Sequence, residues 1–162
     1  GDHGLTADDI DTVAISGEQL LLDRGDRVVT NDRDSRVSIH HCAAVSFLFG
    51  AAGLREFSDP VVHDPRVAAF RGRVSAALNT DSPRGAATAT VRTRDGRVLE
   101  TTVLHPIGSL ERPLSDADIE AKTRDLAMQG EFGGSIDAVI QAVWGIDRMA
   151  TVAPLMAAAG SP

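Results

Sequence analysis

Apolar positions along this chain fall into short blocks, and the densest of them follows a polar lead. Ser35-Arg36-Val37-Ser38-Ile39-His40-His41 runs directly into Cys42-Ala43-Ala44-Val45-Ser46-Phe47-Leu48-Phe49-Gly50. Beyond His41 almost every residue is apolar or small, so the pattern predicts a helix with no solvent face, surrounded by protein. Arg36, His40 and His41 sit at its first turns, where exposed backbone N–H groups favour anions. The helix stops at Gly50, or at Gly53 if it runs on through Ala51-Ala52.

The other blocks predict shorter elements. Leu5-Thr6-Ala7-Asp8-Asp9-Ile10 reads as a helix start, with Thr6 as cap, Asp9 three residues on, and Leu5 against Ile10. Alternating Val13 and Ile15 predict a strand over residues 11–16. Residues 17–34 offer only Leu20-Leu21-Leu22 and Val28-Val29, and no element is assigned there. Asp64-Pro65 opens a helix carrying Val67, Ala68 and Phe70, with a strand at residues 74–78 after it. Residues 87–93 and 98–103 flank Asp95-Gly96, a hairpin signal that makes them antiparallel strands.

After a loop at residues 105–112, Leu114-Ser115-Asp116-Ala117-Asp118-Ile119 repeats the staple-and-cap grammar and opens a helix to about Met128. Glycines 130, 133 and 134 break it. Ser135 caps a further helix whose Ile136, Val139, Ile140 and Val143 recur at helical spacing as far as Gly145. Met149, Val152, Leu155 and Met156 give a last amphipathic turn or two, with Trp144 as a packing anchor before them. Strands and helices mix without strict alternation. The expected fold is therefore α+β, an antiparallel sheet packed by helices over residues 1–130, with a helical segment over 131–162. The apolar stripes of the last helices need a surface to lie on, either this sheet or a body outside the chain.

Composition narrows the function classes. With 162 residues, 43% of them hydrophobic and 24% charged, the chain has the make-up of one ordinary globular domain, or of one domain plus an appendage. A net charge of −7 and no basic cluster argue against a nucleic-acid surface. The single Cys42 allows no internal disulfide and suits a reducing compartment. No apolar run reaches the length of a membrane span and no signal segment opens the sequence, so the expected location is cytoplasmic.

Three segments then resemble the back half of the MmgE/PrpD family, which includes 2-methylcitrate dehydratases, cis-aconitate decarboxylases and iminodisuccinate epimerases. The first is Gly4-Leu5-Thr6-Ala7-Asp8-Asp9-Ile10-Asp11-Thr12-Val13, similar to the entry of the family's second domain. The second is Ser38-Ile39-His40-His41-Cys42-Ala43-Ala44 through Gly50, followed by Phe57, Asp64-Pro65-Arg66-Val67 and Val74. The third runs from Asp95-Gly96 through His105-Pro106-Ile107-Gly108-Ser109-Leu110-Glu111-Arg112-Pro113-Leu114-Ser115 to Ile119 and Lys122. The resemblance covers residues 4–126 and implies a second α+β domain that caps a large helical first domain. Departures occur at Val37, where decarboxylase-type members carry histidine, and at Thr123, where most carry an aromatic residue.

The candidate site residues follow from both readings. His40 and His41 are candidate proton carriers, because imidazole shuttles protons near neutral pH. As neighbours about 100° apart on a helix they face different ways, so one packs if the other faces a cleft. Adjacent histidines do not converge on one ion, so no metal is expected. Lys122 is a third catalytic candidate, its alternative being a stem lying along the apolar stripe with its charge in solvent. Arg36 could clamp a carboxylate or sit as a solvated charge beside Asp32 and Asp34. Ser38, Gly108 and Ser109 are candidate substrate contacts. Cys42 reads as an inert small core residue, and His3 and His63 receive no role.

The expected function is the second-domain portion of a cofactor-free lyase or isomerase acting on small di- or tricarboxylic acids, with dehydration of a 2-methylcitrate-like acid favoured. The expected partners are that acid and either a second copy or a chain carrying the helical domain, with no nucleic acid and no membrane. The rival expectation is a non-catalytic binding or assembly domain that retains the fold.

Overall fold

The structure, a computed structural model, describes residues 4–160, so His3 lies outside the described residues. The chain forms two compact units, Gly1–Pro106 and Ile107–Pro162, and the glycine-rich break at residues 130–134 lies inside the second.

The first unit is built on a four-stranded sheet of β1 (Ile10–Gly17), β2 (Val74–Leu78), β3 (Ala87–Thr93) and β4 (Val98–Val103), in the order β2-β1-β3-β4. The predicted strand and hairpin positions hold, but the sheet is mixed rather than wholly antiparallel. β1 runs parallel to β2 and antiparallel to β3, and β3 runs antiparallel to β4. A parallel pair needs a crossover, and five helices supply it between β1 and β2. They are α1 (Gln19–Gly25), α2 (Asp32–Ser35), α3 (Ile39–Phe49), α4 (Asp59–Val62) and α5 (Pro65–Arg71).

Register explains which face is covered. Val74, Val13, Val91 and Leu99 are successive partners across the four strands, so one apolar row crosses the sheet. Ala44 and Val45 of α3 and Val67 and Phe70 of α5 complete the core with Val13, Val74, Val91 and Ile10. Thr88 bonds Thr102 and Thr90 bonds Glu100, an alternate polar row on β3 and β4. The hairpin closes with Gly96 at φ +88°, a left-handed position that glycine takes without steric cost, while Asp95 accepts from the Thr93 hydroxyl.

The second unit consists of α6 (Asp116–Gln129), α7 (Ile136–Trp144) and α8 (Ala153–Ala159). Ser115 caps α6 through a reciprocal box with Asp118, as the sequence predicts. Ser135 caps α7 and also receives the chain of α8, its N–H donating to the Ala158 carbonyl. Arg124 pairs with Asp137, and the Trp144 indole N–H donates to Glu120 at 2.8 Å, so α7 is fastened to α6 by charge and hydrogen bonding.

Candidate functional site

The entrance of α3 differs from the expected one, and the difference sorts the candidate residues. The helix starts at Ile39, not near Ser35, because the Ser38 side chain caps it by accepting from the His41 N–H. Arg36 therefore lies outside the helix, at the end of α2, where it pairs with the exposed Asp32 at 3.0 Å. The expected all-round burial of α3 does not occur in this unit either. His41, Ala44 and Val45 face the core, while Phe47 and Phe49 stay 36% and 39% exposed.

Ser38 does more than cap. It is fully buried, and its hydroxyl donates to the Arg27 carbonyl at 3.1 Å, which ties the segment after α1 to the start of α3.

The two histidines behave in opposite ways. His41 is fully buried; its Nε2 donates to the Glu56 carbonyl at 2.9 Å and its Nδ1 accepts from Arg71 Nη1 at 3.1 Å. That pair of partners requires the neutral imidazole with its proton on Nε2. Burial, with the Arg71 charge as a lesser cause, holds this histidine below the usual imidazole range. A second proton on Nδ1 would meet an N–H donor, so His41 serves to hold α3, the Glu56 turn and α5 together.

His40 faces the other way. Its Nδ1 donates to the Val74 carbonyl at 2.9 Å, and its Nε2 lies 2.8 Å from Asp26 Oδ1. Both partners are acceptors, so the protonated ring satisfies both at once. His40 borders an open depression of about 570 Å³ together with Asp26, Arg27, Val28, Val29, Arg71 and Gly72. His40 thus borders an accessible surface that Arg27 and Arg71 also line, and the buried His41 does not.

A second, apolar trough of about 690 Å³ lies between α1 and α3, with Leu20, Leu21, Val37, Ile39 and Cys42 on its walls and Arg36 among its lining residues. Gly25 lets the two helices meet, since a Cβ there would stand 2.4 Å from Ile39 Cγ1. Burial pushes the Cys42 thiol up, which disfavours the thiolate and keeps it chemically quiet.

In the second unit Lys122 is exposed on α6. Gly108, at φ +93°, donates its N–H to the Arg112 carbonyl at 2.8 Å, and the Ser109 hydroxyl accepts from the Arg112 N–H at 3.2 Å. These polar groups close their own loop. Among the described residues no group of three or more histidine, cysteine, aspartate or glutamate side chains could hold a metal ion. No described helix is long and apolar enough to cross a membrane.

Three residues of the depression carry no sequence signal that would have singled them out. Asp26 and Arg27 fall in the stretch to which no element was assigned, and Arg71 looks like an ordinary basic residue in the last turn of a helix. Only the packing of α5 against α3 brings Arg71 to His41, thirty positions away in the chain.

Comparison with known proteins bears on this arrangement. The family description "MmgE/PrpD C-terminal domain" matches residues 1–144. A 2-methylcitrate dehydratase of Cupriavidus necator is 33% identical over 121 residues, which is 67% of this chain and 25% of that protein. The chain thus spans about a quarter of the curated relative it matches. The matched segment includes the whole α+β unit with its α3 entrance, and the chain belongs to the MmgE/PrpD family through its C-terminal domain.

Proposed function

We propose that the chain is the second-domain portion of a cofactor-free lyase or isomerase acting on small di- or tricarboxylic acids, with dehydration of a 2-methylcitrate-like hydroxy acid as its reaction. The observation that carries this reading is the family match taken with the relative named 2-methylcitrate dehydratase. Loss of water from such an acid breaks a C–H bond beside a carboxylate and a C–O bond on the neighbouring carbon. The C–H electron pair becomes the new double bond, and the hydroxyl leaves as water once it gains a proton. His40 is suited to give that proton: the Nε2–H bond breaks, the O–H bond forms, and the Val74 carbonyl holds the ring in place. The base that takes the carbon-bound proton comes from a helical first domain, carried on a second copy or another chain. Arg36 is proposed as a further contact at the α3 entrance, whereas the fully buried Ser38 keeps its capping role and Lys122, Gly108 and Ser109 belong to the second unit. His41 keeps a holding role.

The test assays 2-methylcitrate dehydration by the ultraviolet absorbance of the conjugated product. The chain is assayed alone and fused behind a helical first domain of this family. The fusion turns over, the chain alone does not, and His40→Ala in the fusion lowers kcat by roughly a hundredfold or more. Turnover by the chain alone, or a fusion indifferent to His40→Ala, rejects the division of roles.

A second reading, an assembly domain without catalysis, is favoured by the exposed Val143, Trp144, Ile146, Val152 and Met156 of the second unit. Under it the fusion is inert while the chain still associates, which light scattering reads directly.

A further inference from the structure

We propose that β4 is a self-pairing edge: two copies of this chain join antiparallel along it, about a two-fold axis at Thr101, into one continuous sheet. Self-pairing here does not depend on the reaction proposed above.

An edge strand leaves a row of backbone N–H and C=O groups unpaired, and proteins guard such rows with proline, lysine, bulges or short strands. The two edges of this sheet are treated differently. β2 has five residues, α1 and α3 lie against it, and the His40 ring donates to the Val74 carbonyl. β4 has six residues and lies at the other side of the sheet, with no strand beyond it among the described residues. Residues 98–104 contain no proline, glycine, lysine or arginine, and Glu100 is their single charge. The β3–β4 register runs without a shift, whereas the β1–β3 register is interrupted between Ile10 and Thr12. Val98, Val103 and Leu104 stand exposed along this edge. The apolar row of Val74, Val13, Val91 and Leu99 also ends there, with Leu99 packed against the core.

The order of side chains along β4 selects the occupant. A two-fold axis perpendicular to a sheet reverses the strand and keeps its face, so residues opposite each other share a face. Side chains alternate between faces, so only registers centred on a residue qualify. Centring on Glu100 sets two carboxylates against each other. Centring on Thr102 sets Glu100 against Leu104 and Leu99 against His105. Centring on Thr101 sets Leu99 against Val103, Val98 against Leu104, and Glu100 against Thr102. This last register pairs apolar with apolar on both faces and gives each carboxylate a hydroxyl opposite. It also carries the apolar row across the axis, from Leu99 of one copy to Val103 of the other. A copy of the same strand is the partner that matches so symmetric a pattern. An interface along this edge alone is small, so the dimer is weak, with a Kd on the order of 100 μM.

The experiment is sedimentation equilibrium of the 162-residue chain from about 10 μM to 1 mM, with two-dimensional NMR over the same range. The apparent mass is expected to climb from monomer towards dimer, with concentration-dependent amide shifts centred on residues 98–104. Thr101→Lys and Thr101→Glu each place two like charges at the axis and weaken self-association at least tenfold. Mixed in equal amounts, the two variants recover it, because opposite charges then meet at the axis. A monomer at every concentration, growth beyond a dimer, or a mixture that associates no more tightly than its components each overturns the proposal. Association through the second unit does so too: the shifts then centre on residues 107–162 and both variants associate like the unaltered chain. Should a substitution unfold the chain, the shifts of the unaltered chain decide alone.

Discussion

The two units of this chain solve the burial problem differently. The first encloses Ile10, Val13, Ala44, Val45, Val67, Phe70 and Val74 in one core shared by strands and helices. Among its described residues the second has only Ile140 and Ala142 well buried, and it leaves Leu126, Met128, Val143, Trp144 and Met156 in solvent. Its helices are held by caps and polar clasps instead, Ser115 with Asp118, Arg124 with Asp137 and Trp144 with Glu120. A core of the first kind fixes side chains to within the tolerance that a site needs. A surface of the second kind is suited to being covered. His40, the proposed proton donor, and the depression it borders belong to the first unit.

Removing core volume should break the contrast most. Phe70 is 2% exposed and stacks on Phe47 at 5.5 Å, so Phe70→Ala is expected to cost about 3–5 kcal/mol in urea unfolding. Trp144→Ala, at a residue 43% exposed, should cost only about 1 kcal/mol, chiefly the bond to Glu120. Equal losses would mean that the second unit has a core of its own strength.

His41→Leu comes next. It strands the Glu56 carbonyl and an Arg71 N–H, at about 2–3 kcal/mol, and His40→Leu should cost less because its partner Asp26 is open to solvent. The same histidine gives a pH dependence with a definite sign. His41 is held below its ordinary range in the folded chain, so the unfolded chain binds the extra proton first. Stability contributed by this group is present above about pH 6.5, the unfolded value, and falls as the solution is acidified below it. Urea midpoints across pH 7.5 to 5 read this decline, which His41→Leu should flatten. The smallest effect separates the caps. Ser115→Ala should cost about 1 kcal/mol of α6, and Ser38→Ala more, since that hydroxyl is buried and also holds the Arg27 carbonyl.

Much of the scaffold was legible from local signals. Asp95-Gly96 located a hairpin whose strands end where the apolar alternation ends, and Ser115 and Ser135 marked helix starts by cap chemistry. The α3 start was misplaced because both Ser35 and Ser38 are good caps, and the choice fell to a long-range bond, Ser38 to Arg27. The parallel pairing of β1 with β2 was not legible for the same reason: sixty residues of chain, five helices among them, separate Val13 from Val74. That His40 and His41 must part company followed from helix geometry alone. Which of them faces outward depended on Arg71 and Asp26, whose places are set by packing.

The most direct test is ¹⁵N NMR of the imidazole rings in the folded chain, with and without citrate. His41 should be neutral, protonated at Nε2 with an acceptor Nδ1, and unmoved by citrate, while the His40 nitrogens shift on binding. A doubly protonated His41 in the folded chain, or citrate shifts at His41 with His40 silent, would contradict the assignment of holding to one histidine and proton transfer to the other.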